Sequence, residues 1–170
     1  MMDYVLESAT TTLETKKYLR PPGALPEKLF VSSCKRCGSC AQACPNNCIQ
    51  LLPENSGIDF GTPIMNYTDS SCDLCKRCIE TCPAKVLSEE YVDQPIGKAI
   101  INKSLCMAAS GGICSQNCLS SCSTYNAIRS NSHTIPEIDQ SRCIGCGKCI
   151  HNCIMNPSAI QVVVTAPYEY

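Results

Sequence analysis

Apolar residues are spread thinly along the chain and fall into short groups rather than long periodic stretches. Three groups have the character of short strands: Ile58-Asp59-Phe60, Lys98-Ala99-Ile100-Ile101 and Ala159-Ile160-Gln161-Val162-Val163. Residues 1–20 carry leucines roughly on one side, which predicts a short helix ending before Pro21-Pro22-Gly23. The pattern predicts short strands and short helices, and no long regular elements.

A cysteine-rich unit repeats four times, and three of its copies have the spacing C-x2-C-x2-C-x3-C. In chain order, the first copy is Cys34, Cys37, Cys40 and Cys44; the second is Cys72, Cys75, Cys78 and Cys82; and the fourth is Cys143, Cys146, Cys149 and Cys153. The third copy is altered: Cys106, Cys114, Cys118 and Cys122. The chain has 17 cysteines among 170 residues, with no Trp and two Phe. A hydrophobic core of this composition is undersized, so the fold needs metals or disulfides to stabilise it.

The spacing of the three regular copies is specific for iron-sulfur chemistry. Three thiolates on one tight loop reach three irons of a cube, and the fourth cysteine of the run ligates the other cluster in two-cluster ferredoxins. A zinc site uses two C-x2-C pairs for each metal and no third cysteine at the same interval. The sequence therefore predicts three to four [4Fe-4S] clusters bound by the sixteen cysteines of the four copies.

Two parts of the cysteine pattern are less regular. The third copy is looser and lacks the following proline, so its site could hold a cluster, a zinc ion or nothing; we favour a cluster. The remaining cysteine, Cys48, is predicted to be a small apolar core residue rather than a ligand. Gly38, Gly145 and Gly147 are expected to let the backbone approach the clusters.

Charge and motifs exclude several functions. The formal net charge is -1, so no strong basic field exists to hold nucleic acid. The longest apolar run, around Val162-Val163-Val164, is far short of the roughly 20 residues that span a bilayer. The acidic first residues lack the features of a signal peptide, which predicts a cytoplasmic protein with reduced thiols. His133 and His151 belong to no catalytic motif, and we interpret both as surface or packing residues.

Four thiolates at each cluster would leave no iron open to substrate, so the predicted function is electron transfer and not catalysis. Two other roles stay open at this point. A maturation factor would carry labile clusters that can be transferred to another protein. A structural module would use its clusters only to fold.

The linking segments add a family resemblance. Their motifs are Arg20-Pro21-Pro22-Gly23-Ala24-Leu25, Cys34-Lys35-Arg36-Cys37-Gly38-Ser39-Cys40, Gly61-Thr62-Pro63, Gly145-Cys146-Gly147-Lys148-Cys149 and Pro157-Ser158-Ala159-Ile160. Together with the x7 gap of the third copy, they resemble the four-cluster ferredoxin-type proteins of the periplasmic nitrate reductase and methylamine utilisation systems. The resemblance covers residues 20–165. The acidic first residues, the unlengthened second copy and the extra residue between Cys114 and Cys118 depart from that pattern, and they favour a cytoplasmic relative.

The resemblance implies an α+β fold, a ferredoxin-like polyferredoxin with two pseudo-symmetric lobes. It also implies a hetero-oligomer in which the chain relays single electrons between a further electron-transfer protein and a large catalytic subunit. That subunit would be a tungsten- or molybdenum-pterin enzyme of the aldehyde ferredoxin oxidoreductase or class II benzoyl-CoA reductase type. The alternatives are a nitrate reductase or quinol electron-transfer system and an iron-sulfur maturation factor. Neither nucleic acid nor membrane insertion is expected.

Family resemblance also suggests a nested pairing of the copies. The four nested sets are Cys34, Cys37, Cys40 with Cys153; Cys143, Cys146, Cys149 with Cys44; Cys72, Cys75, Cys78 with Cys122; and Cys106, Cys114, Cys118 with Cys82. The expected domains are then an N-terminal arm over residues 1–33, an outer lobe of residues 34–60 plus 143–165, and an inner lobe of residues 61–142. The rival arrangement pairs the first copy with the second and the third with the fourth.

Overall fold

The computed structural model describes residues 18–130 and 134–164. Most of the helix expected over residues 1–20 lies outside these ranges, and its last three positions are not helical. His133 also lies outside the described residues. Within the described ranges, no helix is both long and apolar enough to cross a membrane.

The helices are short and most of them are tied to the cysteine copies. Helix α1 spans Glu27–Ser33, α2 Ser39–Gln42, α3 Arg77–Glu80, α4 Asn117–Ser121 and α5 Lys148–His151. Each of α2 to α5 begins directly after a residue with left-handed backbone dihedrals and contains the third cysteine of its copy. Short 3-10 turns occupy Glu54–Asp59, Glu89–Tyr91 and Met107–Ser110.

The strands form antiparallel pairs. Strand β1 spans Ile49–Leu51, β2 Pro63–Met65, β3 Lys98–Ile101, β4 Ile128–Arg129, β5 Glu137–Ile138 and β6 Ile160–Val163. Among the described residues β1 pairs with β2, β3 with β6, and β4 with β5. In the β3–β6 pair, Lys98 lies opposite Val163 and Ile101 opposite Ile160. The predictions of strands over 98–101 and 159–163 are confirmed, the second to within one residue.

The strand predicted over residues 58–60 is wrong. Ile58 and Asp59 end the 3-10 segment Glu54–Asp59, which is kinked at Gly57, and Phe60 follows it. The side chain of Arg36 explains the difference. Its Nε donates to the carbonyl oxygen of Phe60 at 2.8 Å, and its Nη2 donates to that of Ile58 at 3.1 Å. An arginine side chain thus binds carbonyls that a neighbouring strand would otherwise bind.

Within residues 18–130 and 134–164, the buried apolar side chains form two clusters that follow the order of the chain. The first extends from Phe30 to Ile96 and the second from Ala99 to Ile160. The predicted outer lobe (34–60 plus 143–165) and inner lobe (61–142) do not match this division. The reason is that β1 pairs with β2 and α2 packs against α3, so the first two copies share one core.

Part of the predicted N-terminal arm belongs to the body of the protein. Phe30 in α1 and Arg20 are both fully buried, so the separate arm predicted over residues 1–33 is wrong for the segment from Arg20 onward. Arg20 forms an ion pair with Glu27, its Nη1 donates to Thr62 Oγ1 at 2.9 Å, and its guanidinium lies 4.9 Å from the ring centre of Phe30. Two of the motifs that carry the family resemblance, one beginning at Arg20 and one at Gly61, therefore contact each other.

Candidate cofactor sites

The sixteen cysteines of the four copies line four separate cavities, four cysteines to each. We name the cavities by their cysteines: site A has Cys34, Cys37, Cys40 and Cys82; site B has Cys72, Cys75, Cys78 and Cys44; site C has Cys143, Cys146, Cys149 and Cys122; and site D has Cys106, Cys114, Cys118 and Cys153. Each cavity thus combines three cysteines of one copy with the fourth cysteine of another copy.

The nested pairing is wrong for these side chains, because the fourth cysteines are exchanged between neighbouring copies. Cys82 joins the first copy and Cys44 joins the second. Cys122 joins the fourth copy and Cys153 joins the third. The physical reason is packing: α2 lies against α3 and α4 against α5, so each fourth cysteine, just after one helix, faces the loop that precedes the other.

The loops around the cysteines direct backbone N–H groups at sulfur. Arg36 N donates to Cys34 Sγ at 3.4 Å, Leu74 N to Cys72 Sγ at 3.4 Å, and Gln116 N to Cys114 Sγ at 3.3 Å. All three donors have positive φ. Such N–H groups would stabilise the negative charge of a thiolate or of a bound cluster.

Left-handed backbone occurs at Gly38, Gly145 and Gly147, and also at Arg36, Leu74, Lys76 and Gln116, which were not singled out from the sequence. A signal was present in the repeat. Gly145 and Gly147 stand on either side of the second cysteine of the fourth copy. The second copy has Leu74 and Lys76 at the same places, so aligning the copies would have predicted the same backbone there.

The third cysteine is buried in all four copies, and burial raises its pKa. The pKa is raised to about 11 for Cys40 and Cys118 and to about 12 for Cys78 and Cys149, with removal from water as the largest cause. Cys37 differs because it is exposed, and a hydrogen bond with Ser39 lowers its pKa. Neutral thiols at the buried positions must lose protons before they can bind a metal.

Cys48 lies in the core as predicted, at 1% exposure, but it also lines site B. Its Sγ is 3.5 Å from Cys44 Sγ. Neighbouring Cys72 and its own burial raise the pKa of Cys48, so it is a neutral thiol near neutral pH. The thiol can therefore donate a hydrogen bond to a neighbouring ligand sulfur.

The four sites have the properties that a [4Fe-4S] cluster requires. The four cavities are similar in size. Each offers four soft sulfur donors, which suit iron-sulfur clusters or zinc. No group of three His, Cys, Asp or Glu side chains in residues 18–130 and 134–164 converges on a single-ion position. His151, at the end of α5, is exposed.

Loops with this cysteine spacing, folded into four-cysteine sites that exchange their last cysteine, define a ferredoxin-type iron-sulfur protein. Residues 33–86 match the family model of the 4Fe-4S dicluster domain, and residues 135–160 match that of the 4Fe-4S binding domain. The dicluster match contains all the cysteines of sites A and B.

Curated relatives extend the match to most of the chain. The chain is 32% identical over 161 residues to the ferredoxin-type protein NapG of Escherichia coli K12, covering 85% of this chain and 70% of NapG. It is 32% identical over 159 residues to the methylamine utilization ferredoxin-type protein MauM of Methylobacillus flagellatus, covering 85% and 68%. It is 30% identical over 143 residues to the ferredoxin-type protein NapF of E. coli K12, covering 79% of each.

The chain belongs to the family of ferredoxin-type 4Fe-4S proteins that includes NapG and MauM. It binds several [4Fe-4S] clusters and is an iron-sulfur protein of electron transfer. The iron-sulfur chemistry expected from the cysteine spacing is thereby confirmed.

Proposed function

We propose that sites A to D each hold one [4Fe-4S] cluster and that the chain relays single electrons through them to a catalytic oxidoreductase subunit. The observation that supports the proposal is the gathering of sixteen cysteines into four similar four-cysteine cavities. Site D is included although its loop is irregular, because it presents the same set of donors as the other three.

The residues of the chain prepare each site for electron transfer. When bound, the clusters supply one-electron redox chemistry. Buried third cysteines keep water from one side of each site, and backbone N–H groups directed at Cys34, Cys72 and Cys114 favour additional negative charge. Cys37 of site A is exposed, so electrons can enter or leave close to the surface there.

The partner we propose is a tungsten- or molybdenum-pterin subunit, with a second electron-transfer protein at the other end of the relay. The relatives suggest two alternatives, a nitrate reductase system and a methylamine-utilising system. One experiment separates these partners: anaerobic co-purification from the native host, with identification of the bound subunit and analysis for W and Mo. A subunit of the aldehyde ferredoxin oxidoreductase or benzoyl-CoA reductase type with W or Mo supports the proposal, and a nitrate reductase or a methylamine-oxidising enzyme contradicts this choice of partner.

Iron content tests the sites themselves. Protein purified without oxygen should contain about sixteen irons and as much acid-labile sulfide, four of each for every site. Cys114→Ala should remove about four irons by emptying site D, whereas Cys48→Ala should remove none. Dithionite should then produce paramagnetic signals from the reduced clusters. A colourless protein, or zinc in place of iron, would contradict the relay.

A cytoplasmic location remains a proposal. Fractionation of the native host, with detection of the chain by antibody, tests it. Recovery with a cytoplasmic marker enzyme supports the proposal, and recovery with a periplasmic marker contradicts it.

A further inference from the structure

Sites A and B are neighbours, and so are sites C and D. Cys40 of site A is close enough to Cys78 of site B to contribute to the raised pKa of Cys78, and Cys118 of site D contributes in the same way to that of Cys149 of site C. Together with the exchanged fourth cysteines, these contacts make two pairs of sites, one in each half of the chain.

The two pairs meet at a backbone hydrogen bond between cysteines of sites B and C. Cys72 N donates to the carbonyl oxygen of Cys146 at 2.8 Å. A second bond, from Ile96 N to the carbonyl oxygen of Ile144 at 2.9 Å, joins the same loop of the fourth copy to the first half. Sites B and C are thus connected by the main chain of their own cysteines.

Tyr67 fills the space beside this connection. It follows β2 in the first half of the chain, is 7% exposed, and donates from its hydroxyl to the carbonyl oxygen of Gly145 at 2.5 Å. A Cβ placed on Gly147 would lie only 2.4 Å from Tyr67 Cδ1, so the ring packs directly against the loop of site C. Burial raises the pKa of Tyr67, with smaller contributions from Cys72 and Cys146.

We propose that electrons pass between the two halves from site B to site C across the Cys72–Cys146 hydrogen bond, and that Tyr67 is the positioning residue that holds these two sites together. The inference rests on the proposed occupation of the four sites. It gives the relay the order A, B, C, D, in which the fourth copy precedes the third. Sites A and D are then the ends where partners exchange electrons.

The step transfers one electron and changes no bond. Site B loses one electron and is oxidised, site C gains that electron and is reduced, and no proton moves. The reverse direction is equally balanced. The electron enters from a low-potential one-electron donor, for which dithionite substitutes in the test. Because electron transfer slows steeply with separation, the crossing is expected where cysteines of the two halves are in main-chain contact.

The order can be tested by emptying one site at a time in the full chain. Cys75→Ala removes an exposed cysteine of site B, and Cys37→Ala removes the matched exposed cysteine of site A. Both variants are reduced anaerobically with dithionite and studied by electron paramagnetic resonance, in which neighbouring reduced clusters broaden each other's signals. Cys75→Ala should show one isolated, unbroadened cluster, that of site A. Cys37→Ala should show three mutually interacting clusters and no isolated one.

An interacting site A in Cys75→Ala would overturn the order, because site A would then adjoin site C or D. Iron analysis separates this result from failure of the proposed function. Each variant should retain about twelve irons, four fewer than the unchanged protein. A different loss of iron would contradict the assignment of cysteines to sites, whatever the order of the relay.

The role of Tyr67 is tested by Tyr67→Phe, which keeps the ring and removes the hydrogen bond to Gly145. The matched control is Tyr91→Phe, the same chemical change in the turn Glu89–Tyr91. We expect Tyr67→Phe to keep all its iron but to lose part of the broadening between sites B and C, and Tyr91→Phe to keep both. A Tyr67→Phe spectrum identical to that of the unchanged protein would overturn the positioning role.

Discussion

Cys48 Sγ lies 3.5 Å from Cys44 Sγ, and both side chains line site B. Cys48 is the one cysteine of the 17 that stands outside the four repeats. Since it is buried and neutral, its S–H has few acceptors other than the sulfurs of site B. Hydrogen bonds to cluster sulfurs are among the factors that set the reduction potential.

We predict that Cys48→Ala lowers the reduction potential of the cluster in site B. The reduced cluster carries more negative charge, so removing a hydrogen-bond donor destabilises it more than the oxidised cluster. Cys48→Ser, which retains a donor, should stay closer to the unchanged value. A redox titration followed by electron paramagnetic resonance measures both variants. Equal potentials in all three proteins would contradict the hydrogen bond, and loss of iron from Cys48→Ala would indicate that Cys48 is itself a ligand.

Gly145→Ala is predicted to disrupt site C. Gly145 has a φ of +74°, and an added Cβ would lie 2.5 Å from the carbonyl oxygen and 2.6 Å from the nitrogen of Gly97. These are backbone atoms, so no side-chain rotation relieves the clash. We expect a loss of about four irons, or no folded protein.

Gly111→Ala is the matched control for Gly145→Ala. Gly111 has the same φ of +74°, but a Cβ there would meet nothing within 4 Å. Only the left-handed conformation costs free energy, about 1 kcal/mol, and the iron content should not change. Equal iron losses in the two variants would show that backbone strain, and not the contact with Gly97, is responsible.

The sequence was sufficient to predict features that depend on spacing within a few residues. The cysteine intervals of the regular copies identified the chemistry, and the apolar run from Lys98 to Ile101 identified β3. The fourth ligand was beyond such reasoning, since Cys82 and Cys153 are equally regular in sequence and only the packing of α2 on α3 brings Cys82 to site A.

Features that depend on one long side chain were also missed. Arg36 binds the carbonyls of Ile58 and Phe60, more than twenty residues away, and converts an apparent strand into a 3-10 turn. The burial of Arg20 was missed for the same reason, because its side chain binds Thr62, which is 42 residues away in the sequence. Local pattern carries no information about such contacts.

Glu27→Gln is predicted to destabilise the protein. Arg20 is fully buried, and Glu27 accepts from its Nη2 at 2.5 Å while only 13% exposed. Without the carboxylate, the buried guanidinium loses its nearest negative charge. Losing one partner of a buried ion pair lowers the free energy of unfolding by about 3 kcal/mol. Asp59 Oδ1, 3.8 Å from Arg20 Nη2, limits the loss.

Glu89→Gln is the matched control, because Glu89 pairs with Lys76 at 2.8 Å with side-chain exposures of 60% and 45%. An exposed pair of this kind contributes about 0–1 kcal/mol. The measurement is the temperature at which the iron-sulfur absorbance bleaches under anaerobic heating. Glu27→Gln should bleach at a clearly lower temperature than Glu89→Gln, and equal temperatures would contradict a stabilising role for the buried pair.

Cluster assembly should become more favourable as pH rises from about 7 to 9. Burial raises the pKa of Cys78 and Cys149 to about 12 and that of Cys40 and Cys118 to about 11, so these thiols carry protons in the cluster-free protein. Binding requires thiolates, and each site must therefore release protons when it fills. Each released proton changes the apparent binding constant by about tenfold per pH unit.

The folding of the cluster-free protein has the opposite dependence above pH 9. A thiol whose pKa is higher in the folded than in the unfolded chain stabilises the fold fully below the unfolded value of 9.0, and this contribution is lost as pH rises toward 12. An anaerobic titration of the cluster-free protein, followed by the ultraviolet absorbance of thiolates, tests the protonation of the buried cysteines, and urea unfolding at pH 9 and pH 11 tests the folding. We expect these thiols to ionise only well above pH 9 and the cluster-free protein to unfold more easily at pH 11. Thiolate absorbance that is complete by pH 9 would contradict both effects.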